Sequence, residues 1–141
     1  MERPTAYVEV RVTAPDAATA TRLARLLVEE RLAACVQVLP GITSVYRWEG
    51  AVETAPEHLL LVKTTSERFE AIRMRVRSEH PYDTPEVIAV PVVAADPRYA
   101  AWLDASTEAS GEAHDTDGSE GGNHGGVEPG AGPDGGSDPR H

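Results

Sequence analysis

Two strand-like runs, Cys35 to Trp48 and Val52 to Thr65, follow one another across the short joint Glu49-Gly50-Ala51, and no other feature narrows the possible folds of this chain as much. Each run is about fourteen residues long and, at roughly 3.3 Å per residue, spans roughly 45 Å. A compact domain of about 100 residues is only about 35 Å wide. The hairpin is therefore expected to overhang its own domain. An overhanging ribbon leaves strand edges open to pairing, and the usual cover is a neighbouring subunit. Strand length alone thus predicts an oligomer. Pro40-Gly41 interrupts the first run and is expected to form a bulge or bend.

The folded part is small. Residues 108–141 hold ten of the 12 glycines and a single aliphatic residue larger than alanine, Val127. They also hold eight of the 23 acidic residues against one basic residue, Arg140, and so carry most of the formal charge of −10. A segment of that composition cannot bury a core. Residues 1–107 remain as one domain with a single two-layer core, and 108–141 are expected to be a disordered tail. His114, His124 and His141 stand among the tail carboxylates. Ordering so many glycines costs about 1–2 kcal/mol per residue, which favours a solubilising role over chelation. No apolar run approaches the roughly 18 residues of a membrane span, and Met1-Glu2-Arg3-Pro4 leads straight into a strand pattern. Residence in the cytoplasm, away from membranes, is the expectation. Cys35, the one cysteine, cannot form an internal disulfide, which suits a reducing compartment.

Local patterns supply the remaining elements. Val8, Val10 and Val12 alternate within Tyr7 to Val12 and should share the buried face of a first strand. Thr13-Ala14-Pro15-Asp16 reads as a helix start capped by Thr13, and the helix should run to about Leu32 with Ala20, Leu23, Ala24, Leu27 and Val28 inward. Thr64-x-x-Glu67 reads as a capping box for a second helix, Ser66 to about Glu79, with Phe69, Ile72 and Val76 buried and Arg68, Arg73, Arg75 and Arg77 solvated. Val87 to Val93 fits a short strand with Pro91 near its end, and Asp96-Pro97 opens a last helix. The class is α+β, and the order is βαββαβ with one extra C-terminal helix, a ferredoxin-like arrangement.

Between the second helix and the last strand lies His80-Pro81-Tyr82-Asp83-Thr84-Pro85-Glu86. Each proline drives the residue before it out of the α region, so the loop is stiff and its polar side chains point in set directions. Stiff polar loops are where sites are built. The plainer reading is a rigid turn that satisfies local backbone groups.

Taken together, Thr13-Ala14-Pro15-Asp16, Ala33-Ala34-Cys35, Pro40-Gly41, Ser44-Val45-Tyr46-Arg47-Trp48-Glu49-Gly50, Lys63-Thr64-Thr65 and the His80 to Glu86 loop resemble the CutA divalent-cation tolerance family. The resemblance runs from about Tyr7 to Ser106. It implies a ferredoxin-like homotrimer, similar in architecture to the PII signalling proteins, with interlocking hairpins and a role in tolerance of divalent metals, copper in particular. Copper ligands proposed in the family are a cysteine before the Thr-Ala-Pro-Asp motif and two histidines before Pro-Tyr. This chain has Val12 at the cysteine position and Glu79-His80 in place of the pair. A thiolate is what selects Cu(I), so His80 with Glu79 leaves at most a weak site for copper or another divalent cation, and no cofactor is required.

Trp48, Glu49, Lys63, Tyr82 and Glu86 fall in the matched motifs and are candidates for a cleft between subunits, with Lys63 paired to Glu49 or Glu86. An interface salt bridge that sets trimer register is the plainer reading of that lysine. A PII-like sensor of a small non-metal ligand is the alternative function. RNA binding would need aromatic strand motifs and a basic surface, and neither is present, so no nucleic-acid partner is expected. An enzyme would need a nucleophile with its base or a complete metal site; His80 beside Glu79 and Tyr82 is too little, so the chain is expected not to be an enzyme.

Overall fold

The computed structural model describes residues 6–108; the tail assigned to 108–141 lies, from 109 on, outside the described residues. The elements are β1 (Tyr7–Ala14), α1 (Ala17–Glu29), β2 (Cys35–Trp48), β3 (Ala51–Thr65), a 3-10 turn (Ser66–Arg68), α2 (Phe69–Glu79), β4 (Val87–Pro91) and α3 (Pro97–Ser106). This is the expected βαββαβ order with a third helix appended. One four-stranded sheet carries the order β2-β3-β1-β4, and every neighbouring pair is antiparallel. Among the described residues no helix is long and apolar enough to cross a membrane.

The alternation in β1 produces the core as read. Val8, Val10 and Val12 join Leu60 and Val62 of β3 beneath Ala20, Leu23 and Leu27 of α1 and Ile72 and Val76 of α2. Val28, expected inward, is instead 41% exposed. The residues of opposite parity, among them Glu9, Arg11 and Lys63, look away from α1 and α2, and α3 crosses one end of that second face, where the Tyr7 hydroxyl donates to Asp104 Oδ2 at 2.7 Å.

Two helix starts differ from the local reading. β1 keeps pairing with β3 as far as Ala14 opposite His58, so Thr13 is a buried strand residue, and Asp16 caps α1 by accepting from the Thr19 amide at 2.7 Å. α1 ends at Glu29, short of Leu32, and the chain turns through Arg31 at φ 59°. The Thr64 hydroxyl donates to the Leu32 carbonyl at 2.6 Å instead of capping, and the second helix opens with the 3-10 turn. Asp96 does cap α3, accepting from the amides of Arg98 at 2.9 Å and Tyr99 at 3.2 Å. Two of the arginines read as solvated join elements: Arg75 reaches Glu30 just past α1, and Arg68 donates to the Thr107 carbonyl just past α3.

The hairpin is as long as read, and its irregularities fall where expected. Pairing skips from Leu39 opposite Leu59 to Ile42 opposite Glu57, so Pro40 and Gly41 form a bulge against His58. At the tip Trp48 pairs with Ala51, leaving Glu49 at φ 46° and Gly50 at φ 81° as a two-residue turn. Two consecutive positive φ values give the turn a twist that matches the flanking strands. β1 pairs with β3 only from His58 onward, so residues 51–57 have β2 as their one strand partner within the chain. An isolated two-stranded ribbon is marginal in water.

Nothing lies within 4 Å of a Cβ built on Gly50, so a substitution there meets a backbone penalty and no clash. Gly50→Val is expected to destabilise the fold by about 1–2 kcal/mol, and Gly50→Asn by less, since asparagine tolerates the left-handed region. Denaturant titration reads both; equal midpoints for wild type and the valine variant would contradict the turn assignment.

Candidate functional site

His80 ends α2 with its amide still donating to the Val76 carbonyl at 2.8 Å, and its backbone turns extended ahead of Pro81 as that proline requires. The imidazole then folds inward and is 7% exposed. The Tyr82 amide lies 3.1 Å from His80 Nδ1, and because an amide only donates, Nδ1 is the unprotonated nitrogen. The proton therefore sits on Nε2, which donates to the Thr13 carbonyl at 2.7 Å. Both ring nitrogens are occupied. The Tyr82 ring rests against the imidazole at 4.6 Å between centroids, and its hydroxyl donates to Glu57 Oε2 at 3.3 Å. Glu57 is 1% exposed and stands on β3 where the ribbon leaves the sheet. The stiff loop is thus tied to the end of β1 through Thr13 and to the root of the hairpin through Glu57.

Glu79 faces other surroundings. Its carboxylate accepts from Arg22 at 3.1 Å and Arg75 at 2.8 Å, while the second Arg22 nitrogen holds the Glu79 carbonyl at 3.0 Å. The two sequence neighbours expected to share a metal ion each have other partners in this arrangement: one carboxylate lies between two guanidiniums, and the adjacent imidazole has no lone pair to offer until a hydrogen bond opens. Among the described residues no group of three or more His, Cys, Asp or Glu side chains is placed to hold a metal ion.

The five cleft candidates divide as well. Lys63 pairs with Glu9 across β3 and β1, not with Glu49 or Glu86. Glu86 stands in the loop, and Trp48 and Glu49 lie at the hairpin tip. From Glu57, beside Tyr82, to Ala51 the strand rises roughly 20 Å at about 3.3 Å per residue, so one chain alone does not bring Trp48 and Tyr82 together. Sequence reasoning missed Glu57 and Glu9. Glu53 and Glu57 read alike along β3, and only the packing of the loop marks one as buried; Glu9 is identified as a partner by cross-strand register, which local patterns do not carry.

Lys63 dominates the electrostatics of Glu9. Its hydrogen bond, with a second from Arg11 Nε at 3.0 Å, holds the Glu9 carboxyl below the ordinary glutamate range against the opposing effect of burial. Tyr99 on α3 is shifted the other way, because burial raises its phenol above the ordinary value.

Removing the Tyr82 hydroxyl leaves the buried Glu57 carboxylate without this donor, so Tyr82→Phe is expected to cost about 1–3 kcal/mol, read as a drop in unfolding midpoint. The Glu9 pair adds a pH dependence. A carboxyl whose folded value lies below its unfolded one contributes stability that is complete above the ordinary glutamate value and is lost as pH falls through the lowered one. Denaturation midpoints followed from neutral into acid pH should therefore fall less steeply for Lys63→Met than for wild type; parallel curves would contradict the pairing.

The sequence pattern of the family described as CutA1 divalent ion tolerance protein matches residues 8–106. The Divalent-cation tolerance protein CutA of Thermus thermophilus is 47% identical over 98 residues, covering 70% of this chain and 95% of the relative. The chloroplastic Protein CutA 1 of Oryza sativa is 45% identical over 103 residues, covering 73% of this chain and 58% of that longer protein. Among solved structures, the divalent cation tolerance protein of Thermus thermophilus superposes with a TM-score of 0.71 at 45% identity, over 72% of this chain and 99% of its own. The periplasmic divalent cation tolerance protein CutA of Archaeoglobus fulgidus gives 0.71 at 38% identity, over 72% and 99%. The matched segment contains all three helices, the four strands but for Tyr7, and the His80 to Glu86 loop, and on that evidence the chain belongs to the CutA1 divalent ion tolerance family.

Proposed function

We propose that this protein serves divalent-cation tolerance, copper in particular, as a non-enzymatic cytoplasmic homotrimer of PII-like architecture. The family match over residues 8–106 carries the tolerance role. The trimer is supported by residues 51–57, where β3 runs on with a single partner strand and one face of the ribbon leaves Val45 and Val52 each 66% exposed. A further copy of the chain laid against that ribbon would supply the missing layer and would bring Trp48 and Glu49 of one copy toward the Lys63, Tyr82 and Glu86 region of another.

Metal contact in the folded unit is weak and centred on His80, with Glu79 as the neighbouring carboxylate. An ion must displace either the Tyr82 amide from Nδ1 or the proton and the Thr13 carbonyl from Nε2, and it must compete with Arg22 and Arg75 for Glu79. Each displacement subtracts from affinity, and the thiolate that would favour Cu(I) is absent at Val12.

Titration of Cu(I), Cu(II) and Zn(II) into the full-length protein, into His80→Asn, and into a variant with His114, His124 and His141 changed to alanine tests this assignment. Weak copper binding that disappears in His80→Asn and persists in the tail variant is expected. Binding unchanged in His80→Asn and abolished in the tail variant would move the metal contact out of the folded unit.

A further inference from the structure

The ribbon meets its own domain at a weak point. β1 stops pairing with β3 at Ala14 opposite His58, and the bulge at Pro40-Gly41 interrupts β2 against the same histidine. Both neighbours of β3 therefore lose their regular ladder at one residue, and a strand bends most readily where the ladder is broken. Glu57, the next residue outward, is buried. The Tyr82 hydroxyl reaches it from the His80 to Glu86 loop, so this contact holds the hinge from outside the hairpin.

That contact is not independent of His80. The ring proton on Nε2 is given to the Thr13 carbonyl, the arrangement that leaves Nδ1 as the nitrogen for an ion. The Tyr82 amide occupies Nδ1 at 3.1 Å, and the Tyr82 ring lies against the imidazole at 4.6 Å between centroids. Pro81 stands between the two residues and locks one backbone angle, so the amide cannot leave Nδ1 by a local swing. Tyr82 moves as a whole. It is buried and held at both ends, so displacing its amide draws its hydroxyl off Glu57.

We infer that an ion on His80 Nδ1 releases the hinge of the hairpin through Tyr82 and thereby loosens the trimer. The inference rests on His80 as the metal contact and on the hairpin as the assembly element, and it adds the regulation of that site. Ion and neighbouring copies compete through one residue: the assembly needs the ribbon held in one direction, and the ion needs Tyr82 displaced. Coupling of this kind is reciprocal, so whatever frees the hinge also strengthens ion binding. Tyr82 is a positioning residue in this scheme. Were its phenol a ligand, removing the hydroxyl would weaken ion binding; here removal strengthens it.

Subunit exchange between isotopically light and heavy trimers, followed by native mass spectrometry, tests the inference. The parent is the full-length protein with His114, His124 and His141 changed to alanine, so that the tail histidines take no ion. Cu(II) is the probe, and parallel titrations with and without His80→Asn establish whether it binds at His80. Cu(II) should speed exchange about five-fold, within the usual range of coupling between sites. Tyr82→Phe should exchange about five-fold faster than its parent without metal, bind Cu(II) more tightly by a similar factor, and show no further acceleration by Cu(II). Ile72→Val, which trims the buried face of α2 and leaves Tyr82 and Glu57 in place, should lower the unfolding midpoint yet keep the full response to Cu(II). Cu(II) bound at His80 with exchange unchanged would overturn the coupling and leave the metal assignment standing. Weaker Cu(II) binding in Tyr82→Phe would make the phenol a ligand and overturn it as well. Copper binding that is absent or that His80→Asn does not alter, or a protein with no trimer to exchange, would remove the underlying reading and this inference with it.

Discussion

The unequal length of neighbouring strands governs this molecule. β3 has 15 residues and β1 has 8, so only the part of β3 from His58 to Thr65 lies between two partners. That inner half is where the valines of β1 and the helices α1 and α2 build the core. The outer half is a ribbon whose backbone is paired on one edge, one face of which leaves Val45 and Val52 exposed, and whose tip is closed by two residues at positive φ. A sheet can be continued or stacked, and a ribbon that long is stable only when one of these happens. The proposed assembly follows from that requirement, and so does the separation of the sequence-matched cleft residues along a single chain.

The same constraint explains why the loop from His80 to Glu86 is built as it is. The point where β3 leaves the sheet is also the point where a buried carboxylate, Glu57, enters the packed interior. Tyr82 covers it, His80 orients Tyr82 through its amide and ring, and Thr13 at the end of β1 fixes His80. The residues that look most like chemistry in the sequence hold the base of the hairpin in position. A buried polar network of this kind favours one arrangement over others because any alternative strands a desolvated group.

Much of this was legible in the amino-acid sequence. Period-two valines located β1, three-and-four spacing located the inward faces of α1 and α2, Pro40-Gly41 located the bulge, and Asp96-Pro97 located the start of α3. What local patterns missed has a common cause. Thr13 and Thr64 both look like helix caps, yet one remains in β1 because the antiparallel ladder extends to Ala14, and the other turns its hydroxyl to Leu32 across the molecule. Lys63 finds Glu9 because the register places them opposite each other, and Glu57 differs from Glu53 only through a tyrosine 25 positions later. In each instance a contact distant in sequence overrides a local preference, and no window of a few residues contains it.

The mass of the full-length protein in solution tests the central claim most directly. Light scattering coupled to size exclusion, run from high to low micromolar concentration, should return three chain masses throughout, because a ribbon covered by neighbouring copies is not free to dissociate without exposing its edges. A single chain mass that persists across the same range would show that the hairpin is stable uncovered, and would contradict the account of why this sheet is built with strands of such different length.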